Sequence, residues 1–271
     1  MRRFEFNHRE RVAPMVLLAF FCTIALGLAG LLAACDDGAS TATSGGPAST
    51  AGDGAVAGAS RAVTFATEDG VTLAGHLFGS GDVGVILAHM YPTDQTSWYP
   101  TAKKLAERGY LVLTFDFRGY GESGGSKDIR YLDRDVRAAL FALADAGASQ
   151  MVLVGASMGG TASLVAADAS QVLSALRVTG VATLSAPVEF RGLSAQKAVP
   201  RLQMPLLLIA AENDTGADGA IKLRELSGDT ADIQMVPGDD HGTDLLEGAQ
   251  ADRVWDVLLS FIEKNLPASS R

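Results

Sequence analysis

From residue 61 onward, short apolar runs bounded by turn residues recur at 62–66, 73–78, 83–88, 110–115, 150–154, 178–184, 205–210 and 231–236. The six runs from Val83 onward are mostly continuous rather than alternating in hydrophobicity, the pattern of strands covered on both faces of a parallel sheet. Amphipathic segments stand between them, at 98–108, 131–146, 158–168 and 218–226, and a last one at 253–265 ends the pattern. The first two runs, joined through Glu68-Asp69-Gly70, read as an antiparallel hairpin. Strand–helix repetition after them predicts a doubly wound α/β domain with a mostly parallel, eight-stranded sheet. Ligands of such sheets bind at the carboxyl ends of the strands, so chemistry is sought there.

The first sixty residues differ in kind. Residues 1–14 carry Arg2, Arg3, Arg9 and Arg11 against Glu5 and Glu10, and residues 15–34 carry no charge. A basic flank followed by an apolar run is the layout of an export signal, and twenty helical residues reach roughly 30 Å, enough to cross a bilayer core. The run ends Leu32-Ala33-Ala34-Cys35, which resembles the lipobox of bacterial lipoprotein signals. That resemblance implies cleavage before Cys35 and lipidation of its thiol. An uncleaved signal anchor is the alternative, favoured by the length of the apolar run. Either way the body is expected to be extracytoplasmic and membrane-anchored. Residues 35–60 are mostly Gly, Ala, Ser and Thr, too small-sided to offset the entropy of ordering them, and read as a flexible tether. The expected organisation is a signal at 1–34, a tether at 35–60 and one catalytic-sized domain at 61–271.

Composition narrows the function. With 48% hydrophobic and 20% charged residues the chain has enough apolar material for a core, which excludes wholesale disorder. Its 22 basic residues face 31 acidic ones, a net charge of −9, which argues against a nucleic-acid partner because phosphate neutralisation needs clustered cations. Both cysteines, Cys22 and Cys35, lie near the N-terminus, so the body has no thiol for a disulfide, a zinc cluster or a cysteine nucleophile. No cofactor and no metal is expected.

Three strand ends carry a nucleophile, an acid and a base. The run 151–154 passes directly into Gly155-Ala156-Ser157-Met158-Gly159-Gly160 and then into a helical segment. A serine at a sharp strand-to-helix turn needs small residues two positions away on either side, and the helix N-terminus behind it offers free amides. Gly121-Glu122-Ser123-Gly124-Gly125 fits the same pattern, but it trails its strand by a loop and no helix follows at once. Ser123 is therefore read as a loop residue. A serine hydroxyl needs a base, and the base needs an acid to orient it. Of four histidines, His8 belongs to the signal, His76 sits within a strand and His89 ends one. His241, in the loop after the last strand, is the placed base. Asp214, just past the end of its strand, is the acid, with Glu212 and Asp218 as alternatives.

The order Ser157, Asp214, His241 and the turn around Ser157 resemble the α/β-hydrolase superfamily over about residues 61–266. Phe115-Asp116-Phe117-Arg118-Gly119-Tyr120-Gly121-Glu122-Ser123 is similar to a structural Asp-x-Arg-Gly-x-Gly-x-Ser segment of its lipase, esterase and peroxidase-like branches. His89-Met90-Tyr91-Pro92 takes the position of the family's His-Gly-x-Pro turn, with Met90 in place of the glycine. The resemblance implies an oxyanion hole from backbone amides, here those of Tyr91 and Met158. It implies a serine hydrolase acting on a small-molecule ester or thioester by acyl transfer. An aminopeptidase-like peptidase and a tethered non-catalytic binding module are the alternatives, and lactone cleavage would rest on fold alone. Residues 188–204 are too few for a separate cap domain, so the site is expected to be shallow and to favour short acyl groups. Trp98, Tyr120, Phe190 and Met158 are candidate lining residues.

Overall fold

Successive residues of a strand point to opposite faces, and in the central strands of this sheet both faces are apolar and buried. A computed structural model describes residues 60–171 and 176–267; the signal, Cys35 and the tether as far as residue 59 lie outside them. The first strand, β1, runs Ser60–Ala66, followed by β2 (Thr72–Phe78), β3 (Val83–Ala88), β4 (Leu111–Phe115), β5 (Gln150–Ala156) and β6 (Val178–Leu184). After a two-residue hairpin of β7 (Glu189–Phe190) and β8 (Leu193–Ser194) come β9 (Leu206–Ala211) and β10 (Ala231–Val236). The main sheet has eight strands in the order β1-β2-β4-β3-β5-β6-β9-β10. From β4 to β10 all pairs are parallel, while β2 is antiparallel to both β1 and β4. All eight predicted strands and all five predicted helices form; the small β7–β8 hairpin was not foreseen.

Helices α1 (Tyr99–Ala106), α2 (Leu132–Asp145), α3 (Met158–Ser170), α4 (Ala217–Ser227) and α5 (Ala251–Asn265) cover the sheet. Ile86, Leu113 and Leu153 point to the face covered by Leu140 of α2, Leu164 of α3 and Leu223 of α4. Val85, Val112 and Val152 point to the other, against Leu105 of α1 and Leu258 and Ile262 of α5. Burying one such side chain is worth about 1.5–3 kcal/mol, so the continuous apolar runs stabilise both layers. Trp98, a candidate for lining the site or for the core, is fully buried in the α1/α5 layer. The reason is local: it opens α1 and faces the sheet, where a large apolar ring is worth more buried than at a rim. The parallel strands all direct their carboxyl ends to one edge, and the loops there carry the chemistry.

Candidate active site

Ser157 sits between β5 and α3 with φ +47° and ψ −114°, a conformation that side chains other than glycine rarely adopt. The turn persists because its neighbours leave no room for another. A β-carbon on Gly155 would lie 2.4 Å from the Gly159 carbonyl oxygen. One on Gly159 would lie 2.3 Å from the Ala88 oxygen and 2.5 Å from the His89 oxygen. The Ser157 N–H donates to the Leu184 carbonyl at 2.7 Å, which ties the turn to β6. Met158 opens α3, so its N–H has no acceptor within the helix.

The loops after β9 and β10 bring the acid and base together. His241 Nδ1 lies 2.7 Å from Asp214 Oδ1, with the carboxylate side chain 2% exposed and the imidazole 33% exposed. Glu212 and Asp218, the alternatives for the acid, are exposed and do not contact His241. A β-carbon on Gly242 would stand 3.4 Å from Ala156 Cβ, so the chain next to His241 packs beside the chain next to Ser157. Among the described residues Ser157 Oγ and His241 Nε2 have no hydrogen-bond partner, so the serine–imidazole link is open here. Asp214 Oδ2 is buried and unpartnered.

Two further residues hold the site together: Ser185, which had no reading from the sequence, and His89, which was read only as the first residue of the His-Gly-x-Pro-like turn. Ser185, directly after β6, is fully buried at φ +57°, and its Oγ accepts the Gly242 N–H at 3.0 Å. It thereby fixes the residue that follows His241. The only sequence signal was a polar residue capping an apolar run. His89 is fully buried, and its Nε2 accepts the Phe117 N–H at 3.1 Å. The proton is therefore on Nδ1, which donates to the Met90 carbonyl at 2.9 Å. Burial pushes this imidazole below its ordinary value, so it stays neutral.

Met90 oxygen also accepts from Thr93 Oγ1 at 3.0 Å. In a trans peptide C=O and N–H point in opposite directions, so holding the Met90 oxygen inward fixes the Tyr91 N–H the other way. That N–H has no acceptor among the described residues. The Tyr91–Pro92 peptide that follows is cis. Met90, where the family pattern has glycine, lays its sulfur against Thr243 Oγ1 at 3.8 Å.

The segment around Asp116 is a brace for this turn. Asp116 accepts from Gln95 N at 2.9 Å, Gln95 Nε2 at 3.0 Å and Glu122 N at 3.0 Å. Ser123, the decoy, accepts from Ala74 N and donates to the Asp116 carbonyl at 2.6 Å. Arg118 spans buried Asp135 and Asp69. Of the candidate lining residues, Met158 is fully buried, Tyr120 is 3% exposed with its hydroxyl on Met158 Sδ, and Phe190 is half-buried on the β7–β8 hairpin.

A buried carboxylate, an imidazole and a strained serine at one sheet edge can support nucleophilic chemistry on an electrophilic centre. Comparison with known proteins agrees with the architecture. The family model described as alpha/beta hydrolase fold matches residues 84–192. Over 126 residues the chain is 37% identical to epoxide hydrolase A of Mycobacterium tuberculosis, covering 45% of this chain and 34% of that protein. It thus spans about a third of that relative's length. It is 24% identical over 241 residues to the uncharacterized protein YfhR of Salmonella typhi, covering 76% of this chain and 82% of the other. The esterase Pf2001 of Pyrococcus furiosus superposes with a TM-score of 0.68 at 18% identity, over 77% of this chain and 91% of that one. The chain has the α/β-hydrolase fold.

Proposed function

We propose that the protein is a serine hydrolase that cleaves carboxylic esters or thioesters of small acyl groups through an acyl-enzyme. The observation that carries this reading is the 2.7 Å Asp214–His241 contact on loops beside a serine held at φ +47°. Ser157 Oγ attacks the carbonyl carbon as His241 Nε2 takes its proton, and Asp214 stabilises the imidazolium through Nδ1–H. The N–H groups of Met158 and Tyr91 receive the oxyanion, each worth about 3 to 4 kcal/mol by precedent. The intermediate expels the leaving group, which His241 protonates. Water, deprotonated by the same imidazole, then attacks the acyl-serine and releases the acid. The open link between Ser157 and His241 closes when substrate fills the site, as is common for catalytic hydrogen bonds.

The epoxide hydrolase relative raises a second substrate class, and bond chemistry decides against it. Serine opening an epoxide would leave an alkyl ether with no carbonyl for water to attack, whereas an acyl-serine retains one. The shortness of residues 188–204, which hold only the six-residue β7–β8 hairpin and a single 3₁₀ turn, supports small acyl groups. Localisation is part of the same proposal: Cys35 carries a lipid that tethers the domain outside the cytoplasm, supported by the basic flank and uncharged run before it. Palmitate labelling lost in Cys35→Ala is the expected result, and equal labelling overturns it.

A fluorophosphonate probe tests the catalytic reading. Covalent labelling of the protein, lost in Ser157→Ala with the thermal unfolding midpoint retained, is expected. Absence of labelling in the folded wild type refutes it. On 4-nitrophenyl esters of rising chain length, acetate is expected to be preferred, and a maximum at about eight carbons or beyond refutes the small-acyl assignment.

A further inference from the structure

Two cations stand on aromatic rings beside the residues proposed as oxyanion donors. Arg191, at the tip of the β7–β8 hairpin, adopts φ +47° and is followed by Gly192 at φ +90°, a tight turn that projects the side chain. Its guanidinium carbon lies 4.3 Å from the centroid of the Tyr91 ring and 5.2 Å from that of Phe190. Lys127 Nζ lies 4.3 Å from the centroid of Tyr120, whose hydroxyl rests on Met158 Sδ and whose ring is 5.1 Å from that of His89. Both cations are exposed, and neither has a carboxylate partner among the described residues. Asp128, next to Lys127 in sequence, is taken by Arg130 at 2.7 Å. A guanidinium seated over a ring uses its face and leaves its N–H edge free, the geometry that grips a carboxylate with two bonds. In a chain of net charge −9, two exposed cations without a carboxylate partner among the described residues are a local source of attraction for an anion.

The strand order says which end of the substrate meets it. Asp214 and His241 follow β9 and β10, on one side of β5, while Tyr91 and the Tyr120–Lys127 loop follow β3 and β4, on the other. Because His241 must reach the leaving-group oxygen, the leaving group departs toward β9 and β10. The acyl substituent is then directed toward β3 and β4, under Arg191 and beside Lys127. We infer that the preferred esters carry a carboxylate on the acyl group, as half-esters of short dicarboxylic acids do, bound between Arg191 and Lys127. The inference rests on the ester-hydrolase reading of the site.

The test compares 4-nitrophenyl hemiglutarate with 4-nitrophenyl pentanoate, as kcat/KM after subtraction of spontaneous hydrolysis, on the full-length protein and its variants. The wild type is expected to favour the hemiglutarate by about tenfold, with the ratio falling as salt rises from about 0.05 to about 0.5 M. Arg191→Asn removes the charge with a residue that tolerates positive φ, and Lys127→Gln removes the other. Each is expected to lower the ratio about threefold, mainly through KM for the anionic ester, and Arg191→Lys to restore part of it. A wild-type ratio at or below one, or a ratio that neither variant moves, overturns the inference while pentanoate turnover leaves the hydrolase reading standing. A preference that appears only when the carboxylate is moved to the leaving group, as in 4-acetoxybenzoate against phenyl acetate, overturns the acyl-side assignment. Turnover of neither ester, together with absent fluorophosphonate labelling, overturns the hydrolase reading itself.

Discussion

The two sides of the sheet's carboxyl edge are built differently. The turns after β3 and β4 are locked by buried hydrogen bonds: His89 is held at both ring nitrogens, Asp116 gathers three donors, and Ser123 bridges β2 to the Asp116 carbonyl. The turns after β9 and β10 have fewer ties. His241 is one-third exposed, and among the described residues its Nε2 is unbound and Asp214 has one buried oxygen without a partner. The difference follows the work proposed for each side. Donors for a developing oxyanion act best when fixed in advance, because any reorganisation subtracts from their effect. An imidazole that takes a proton from serine and gives it to a leaving group has to shift between two oxygens. Rigidity belongs on one side and latitude on the other.

That contrast is open to attack from both sides. Asp214→Asn strikes the looser side and is expected to lower kcat about 10⁴-fold with little change in the unfolding midpoint, because the amide favours the wrong imidazole tautomer. A kcat within tenfold of wild type would mean that another carboxylate orients His241. Asp116→Ala strikes the braced side, leaving the Gln95 and Glu122 donors without their acceptor. Denaturant unfolding should show a loss of about 3 kcal/mol or more, and a loss below about 1 kcal/mol would deny the brace. Ser185→Ala deletes the acceptor of the Gly242 N–H. It is expected to cost about 1 kcal/mol in stability and roughly tenfold in kcat, since the chain after His241 loses its tether.

The smallest effect is in pH. The folded protein holds His89 neutral below its ordinary value of 6.5, whereas the unfolded chain protonates it there. Below about 6.5 the unfolded state binds the extra proton, so stability present above that pH falls by up to about 1.4 kcal/mol per unit as acid is added. Urea midpoints measured from pH 7 to 5 should show this slope in the wild type and a shallower one in His89→Gln. Equal slopes would place the acid sensitivity elsewhere.

Most of the fold was legible in the residues because the central strands are buried on both faces, and continuous apolar runs then mark them as strands. The hairpin of β7 and β8 escaped because two-residue strands carry no period, and its only signal was the Arg191-Gly192 pair. The site was legible where chemistry restricts residue type and position together, as at Ser157 with Gly155 and Gly159. Ser185 was not, and His89 was legible only as the head of its turn, since each acts on a backbone amide or carbonyl that any residue supplies. Trp98 stayed open between rim and core because an aromatic residue at a loop end reads alike whether it turns outward or inward. The choice is made by the space under α1, which a linear pattern does not contain.

The contact of Gly159 with the carbonyls of Ala88 and His89 has one more consequence. It presses the start of one helix directly onto the bend that leaves a neighbouring strand, main chain on main chain. The gap between the amides at 91 and 158 is thus gauged by polypeptide thickness, with no side chain as spacer. Substitutions at the exposed Tyr91 can therefore recut the entrance for other guests while the proposed anion cradle keeps its dimensions.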